Sequence, residues 1–359
     1  MCKRFNIKTI LYNSHIEIGA KLVRFHNWIM PLHYGSIVQE CLYVRERCGM
    51  FDISHMTIVD ITGSQSISFL RKLLTNDITS LFDNESLYSC MCNNYGGIID
   101  DVVVYKCNNN YYRLVFNAST RIKVLKWIFN VSKYFSVKMI ERNDFGMLSV
   151  QGPDAISKIV NILNLKKDNV VENLDRFGFI IFDYFFISRT GYTGEDGLEI
   201  ILLKKYIVDF WNTLLESNIN PCGLGARDIL RLEAGMVLSG VDIHEKVTPL
   251  ESSLEWTIKW IPKDRDFIGM NSLFLQKKYG APTKLIGLII SDKKIMRNGF
   301  KVLLSSNDIG VITSGVYSPF LKKSIAFARV PWKNTDKMVH VLIYGKLCLA
   351  KVCKLKFVR

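Results

Sequence analysis

The chain has 359 residues, 48% of them hydrophobic and 12% aromatic, and a formal net charge of +14. That length exceeds one ordinary core and points to two or three domains. The longest apolar run, FGFIIFDYFFIS at 177–188, is broken by Asp183 and is too short for a membrane span.

The N-terminal MCKRFNIKTILYNSH lacks the apolar core and small-residue end of a secretory signal, so a cytoplasmic protein is expected. The charge first suggests nucleic acid. The cations, however, are dispersed pairs (Lys166-Lys167, Lys277-Lys278, Lys293-Lys294, Lys322-Lys323) without interleaved aromatics, and the richness in Lys, Asn and Ile looks like an AT-biased coding sequence. The alternative is attraction to an acidic partner or an anionic substrate. Nine cysteines (2, 41, 48, 90, 92, 107, 222, 348, 353) are scattered without a CxxC-His arrangement, so they read as reduced thiols, and no metal is expected.

In chain order, SIVQECLYVRERCGM at 36–50 places Ile37, Cys41, Val44 and Cys48 at helical spacing, with Gly49 closing the helix. FDISHMTIVDITG at 51–63 reads as one strand ending in a turn, and the Ser64 that follows is a helix cap for SQSISFLRKLL. Strands are expected at 87–92, 98–106 and 111–117 and a helix at 119–132, an α+β unit built on antiparallel hairpins.

Within it, GGIIDDVVVY at 96–105 sets two adjacent carboxylates in a run that is otherwise β-branched or aromatic. Strand alternation puts Asp101 on one face with Ile99, Val103 and Tyr105, and Asp100 on the other with Ile98, Val102 and Val104. At least one carboxylate therefore faces apolar neighbours, where a charge costs several kcal/mol unless it is paired or its pKa rises. The structural alternative is a strand end at which one Asp is solvated and the other caps the turn.

FDYFFISRTGYTGEDGLEIILL at 182–203 reads as two strands joined by a loop with Gly191, Gly194 and Gly197, not a nucleotide fingerprint because a strand follows. A helix is expected over about 225–238. Arg227 falls in its first turn, where the macrodipole disfavours a cation, with Arg231 one turn later. Salt bridges to Asp228 or Glu233, or an anionic ligand, would compensate. Beyond about residue 265 the chain reads as strand-rich, with turns at Asn298-Gly299 and Tyr344-Gly345, a separate C-terminal β domain.

Taken together, HIEIGAKLV, NWIMPLHY, VRERCGMFDISHM, LTNDI, YSCMCNNYGGIIDDVVVY, SRTGYTGEDGLEI, GLGARDILRLEAGM, PLESSLEWTIKW and ITSGVYSPFLKKSIAFARV, in that order from about residue 9 to 358, resemble the aminomethyltransferases of the glycine cleavage system, the T-proteins. The resemblance implies three domains in a cloverleaf around a central folate cavity: 1–55 with 142–250, an inserted 56–141, and a β-barrel-like 251–359. It implies transfer of a one-carbon unit from the aminomethyl-lipoyl arm of the H-protein to tetrahydrofolate, giving 5,10-methylenetetrahydrofolate, ammonia and dihydrolipoyl H-protein, with no metal.

By the family's motif Asp101, the second Asp of GGxxDD, is the catalytic carboxylate. Tyr88, Asn117, Tyr192, Glu199, Arg227 and Trp256 match residues that line the folate cavity. The sequence departs from the family at His26-Asn27, Ile29, Ser239, Val241 and Ser252-Ser253, and its tail, ending Phe357-Val358-Arg359, is shorter than in most relatives. Non-catalytic folate-binding relatives carry a K-G-C-x-x-G-Q-E motif that is absent from this sequence, and the folate-linked demethylating oxidases have a long flavin domain for which this chain has no room.

Overall fold

The computed structural model describes residues 6–165, 171–291, 294–305 and 309–358. Cys2, Lys166-Lys167, Lys293 and Arg359 lie outside the described residues. The backbone forms three open sheets and a closed barrel, with helices packed on the sheet faces. Among the described residues, pairing between strands is antiparallel apart from two short parallel contacts, Ile7–Lys8 with Trp28–His33 and Asn220–Pro221 with Gly49–Asp52.

A six-stranded sheet runs, edge to edge, through Phe179–Phe182, Phe185–Ser188, Gly197–Leu203, Phe145–Gln151, Gly49–Asp52 and Asn220–Pro221. Alternation sends Leu148, Val150, Leu198, Ile200 and Leu202 to one face, where helices Ala155–Ile162 and Lys204–Glu216 bury them with Ile159, Phe210 and Trp211. Phe51, Met147, Phe186 and Ile201 go to the other, against Cys41 and Val44 of helix Ile37–Glu46 and Ala226 and Leu230 of helix Leu224–Glu233.

A five-stranded sheet, ordered Glu85–Cys92, Ile98–Asn108, Tyr111–Phe116, Thr57–Thr62 and Lys138–Glu141, is covered on its outer face by helices Ser66–Leu73 and Arg121–Ser132. Its inner face meets the six-stranded sheet: Tyr105 and Val115 pack in the same apolar cluster as Phe51 and Phe186. The barrel closes through Thr283–Ile290, Lys323–Pro331, Ile309–Ser318, Lys301–Leu303, Met338–Ile343 and Lys346–Cys353. Tyr344 and Gly345 both have positive φ in the turn between its last two strands, as the Tyr-Gly signal requires. Among the described residues no helix is long and apolar enough to cross a membrane.

Several local expectations change. Gly49 opens a strand instead of closing the helix, which ends at Glu46; a Cβ at Gly49 would meet Cys222 Sγ at 2.5 Å and Val44 at 2.8 Å, so the glycine serves close packing of helix on strand. The expected strand at 51–63 is two, broken by a turn in which Met56 N–H donates to Ile53 O, and the halves join different sheets. Ser64 does not cap the next helix; Ser66 donates to Gly63 O there. The helix expected to reach 238 stops at Glu233, and Gly235 takes φ +83° as Met236 N–H turns back to Arg231 O. A helix, Met270–Tyr279, precedes the barrel; it buries only Leu273, so it shows no apolar stripe in the sequence.

Candidate active site

A cavity of about 250 Å³ opens where the inner face of the five-stranded sheet, the Gly-rich loop, helix Leu224–Glu233 and the segments 235–238 and 252–256 converge. Tyr88, Asp101, Asn117, Tyr192, Glu199, Arg227 and Trp256 all line it. Stretches far apart in the sequence thus meet in one place.

Asp101 reaches the cavity by plain alternation with Val103 and Tyr105 on the inner face, just before a β-bulge. Cys90 pairs with Asp101 and Met91 with Asp100, but Cys92 pairs with Ile98, so Ile99 is the extra residue. Below the bulge the alternation inverts: Ile98 packs with Cys90 and Cys92, and Ile99 packs with Val102 and Val104. The sequence assignment of Ile99 to the face of Asp101 is therefore reversed, while that of Val103 and Tyr105 stands.

The Asp101 carboxylate accepts from Tyr88 Oη at 3.0 Å and from Asn117 Nδ2 at 2.8 Å. Burial and the neighbouring Asp100 charge push its pKa up to about 7. Asp100 is fully buried and accepts from four donors: Thr120 Oγ1 at 2.5 Å, Ser239 Oγ at 2.7 Å, Asn117 Nδ2 at 2.9 Å and Asn117 N–H at 3.2 Å. Neither Asp is the solvated strand-end residue of the structural alternative. Asp100 is the anchored one, tying the strand to the loop that starts helix Arg121–Ser132, and Asp101 keeps its carboxylate at the cavity wall.

Glu199, on strand Gly197–Leu203, accepts from Thr190 Oγ1 at 2.5 Å, and burial raises its pKa against the pull of the Arg227 charge. Arg227 lies over the ring of Tyr192, 4.5 Å from guanidinium carbon to ring centroid. Among the described residues it forms no ion pair, so the intramolecular alternative fails for Arg227. It holds for Arg231, which pairs with Asp228 at 2.9 Å and Asp242 at 2.7 Å; Glu233 pairs instead with Arg45. Tyr192 donates its hydroxyl to Val237 O. Trp256 stacks on Tyr88 with ring centres 5.5 Å apart and is 55% exposed, which puts an open indole face at the mouth.

The N-terminal 11–261 match the family model "GCVT N-terminal domain" and 283–359 match "Glycine cleavage T-protein C-terminal barrel domain". An aminomethyltransferase of Legionella pneumophila is 52% identical over 353 residues, 98% of each chain. One from Xanthomonas oryzae is 46% identical over 358 residues, 98% of this chain and 96% of its own. The crystal structure of the glycine cleavage system aminomethyltransferase T from Bartonella henselae superposes with a TM-score of 0.92 at 30% identity, over 98% of both chains.

The chain belongs to the glycine cleavage T-protein family. It is an enzyme, a glycine cleavage system aminomethyltransferase. The T-protein resemblance read from the motifs therefore holds along the whole chain, as do the α+β class, the largely antiparallel sheets and the C-terminal barrel.

Sequence reasoning missed four contributors to this T-protein site. Thr190, the donor to Glu199, sits inside the quoted SRTGYTG and could have been found there. Thr120 and Ser239, the donors to Asp100, carry no local signal, because their partner lies 20 and 139 residues away. Leu355 also lines the cavity, so the tail, though shorter than in most relatives, forms part of the wall.

Proposed function

We propose that this T-protein's cavity binds tetrahydrofolate and that Asp101 carries the transfer of a one-carbon unit to it from the aminomethyl-lipoyl arm of the H-protein, an activity that gives 5,10-methylenetetrahydrofolate, ammonia and dihydrolipoyl H-protein. The observation that carries this reading is the Asp101 carboxylate: half-buried at the cavity wall, held by Tyr88 and Asn117, and with its proton affinity raised toward neutrality. A folate nitrogen attacks the methylene as ammonia leaves, and the second folate nitrogen closes the ring as the carrier sulfur departs. Each nitrogen loses a proton. A carboxylate titrating near neutral pH can take such a proton and offset the positive charge that develops on the methylene.

In this reading the flat pterin lies against Tyr88 and Trp256, whose stacked rings present an aromatic surface at the mouth. Glu199 accepts the pterin's adjacent N–H donors, Asn117 and Tyr192 complete the lining, and Arg227, free of a protein carboxylate among the described residues, meets a folate carboxylate. The three-domain division at 1–55 with 142–250, 56–141 and 251–359 belongs to the same reading, supported by the assignment of the six-stranded sheet, the five-stranded sheet and the barrel to those ranges. So does the H-protein as donor, supported by the charge of +14, which suits an acidic partner.

The test is the rate of methylenetetrahydrofolate formation from aminomethylated H-protein and tetrahydrofolate. Formation dependent on both substrates is expected; folate binding without turnover would return the chain to a non-catalytic folate-binding role.

A further inference from the structure

Ser239 stands where the family commonly has a Tyr, yet it is neither exposed nor idle. It lies in the segment that leaves helix Leu224–Glu233 for the barrel, just after Val237 and Leu238 of the cavity wall. That segment is pinned on both sides. Tyr192 donates to Val237 O, and Leu238 N–H donates to Asp242 Oδ2 at 2.9 Å. Asp242 is itself fully buried and held by Arg231, Thr313 and Ser314. From this fixed position the Ser239 hydroxyl crosses to the inserted sheet and donates to Asp100 Oδ1 at 2.7 Å.

Asp100 Oδ1 also accepts from Asn117 Nδ2, and the same amide nitrogen donates to Asp101 Oδ1. A chain of hydrogen bonds therefore runs Ser239, Asp100, Asn117, Asp101. We propose that Ser239 is a positioning residue, which through Asp100 and the bridging amide of Asn117 holds the Asp101 carboxylate in place and couples it to the 236–239 wall of the cavity. The proposal rests on the aminomethyltransferase reading above. Removing the hydroxyl takes one of four donors from Asp100 and frees Oδ1 to compete for the Asn117 amide, so Asp101 is held less firmly by Asn117 and is left mainly with Tyr88.

The pH dependence follows from the same geometry. Facing the two carboxylates are Tyr88 and Cys90 on strand Glu85–Cys92, Tyr192 on the Gly-rich loop, and the uncharged Asn117, Thr120 and Ser239. With a donor gone, the ionised form of Asp100 is less stabilised, so Asp100 holds a proton to higher pH. A protonated Asp100 no longer repels charge on Asp101; that repulsion outweighs the weakened Asn117 hydrogen bond, which acts in the opposite sense, so Asp101 then ionises at lower pH.

The experiment is kcat and KM for tetrahydrofolate against pH in Ser239→Ala and Ser239→Thr, beside the wild type. Ser239→Ala should lose turnover about tenfold with KM within about twofold, and the acid limb of its kcat profile should move to lower pH by about half a unit. Ser239→Thr, which keeps the hydroxyl, should restore both. Thr120→Val removes a different donor from Asp100 and should shift the profile in the same direction, so the test survives poor folding of Ser239→Ala. An unshifted profile in both donor-deletion variants, with the wild type active, overturns the proposal. An inactive wild type would instead overturn the aminomethyltransferase reading.

Discussion

At the scale of single residues, Asp101 combines two conflicting demands. The fold raises its pKa to about 7 by burial and by the Asp100 charge, against an unperturbed carboxyl near 3.9. The native state therefore favours the protonated form. Below about pH 4 both native and unfolded chains hold the proton; between about pH 4 and 7 the unfolded chain releases it while the native state keeps it, so stability falls across that window and levels off above pH 7, where the native carboxylate is ionised too. Asp101→Asn removes that charge. It should melt at higher temperature than the wild type at pH 8, by an amount corresponding to about 1–3 kcal/mol, with the difference vanishing near pH 4. Its turnover should fall about 100-fold or more while tetrahydrofolate still binds; near-wild-type turnover would remove Asp101 from its role. Glu199→Ala should weaken folate binding by about 5- to 150-fold, read by equilibrium titration, because the pterin donors then face a buried void.

At the scale of elements, helix Leu224–Glu233 carries opposite fates for two arginines. Arg227 remains open to a ligand, whereas Arg231 is buried between Asp228, Asp242 and Ser314 and joins the helix to the barrel. Arg231→Met fills similar volume but leaves the fully buried Asp242 without its cation, so unfolding by denaturant should occur with a loss of about 3–5 kcal/mol. Here the limits of the sequence are visible in physical terms. The strands, the helix and the two arginines were legible from periodicity and helix position. Which Arg found a partner was not, since Asp242 is brought in by a turn beyond the helix. The reversal of Ile98 and Ile99 was equally hidden: a bulge inserts one residue without any mark in β propensity, and one residue is enough to exchange faces. The motif still pointed to Asp101, which lines the cavity, because a motif match does not depend on register.

At the scale of the whole molecule, the sheets and barrel leave one cavity lined by all seven residues that the family pattern singled out, drawn from positions 88 to 256. The excess of positive charge belongs to this scale also. If it guides an acidic carrier protein, affinity for H-protein should fall as salt rises from dilute buffer to about 0.5 M, where the screening length contracts severalfold; salt-independent binding would mark the charge as compositional.

The stacked pair at the mouth gives the cavity an optical property. Trp256 is half in water, so its emission should sit toward the red, and a flat ligand laid on its open face should quench it and move the remainder to shorter wavelength. Occupancy would then be readable in unlabelled protein from intrinsic fluorescence, and replacing Trp256 by Phe would silence that signal while leaving an aromatic surface at the mouth.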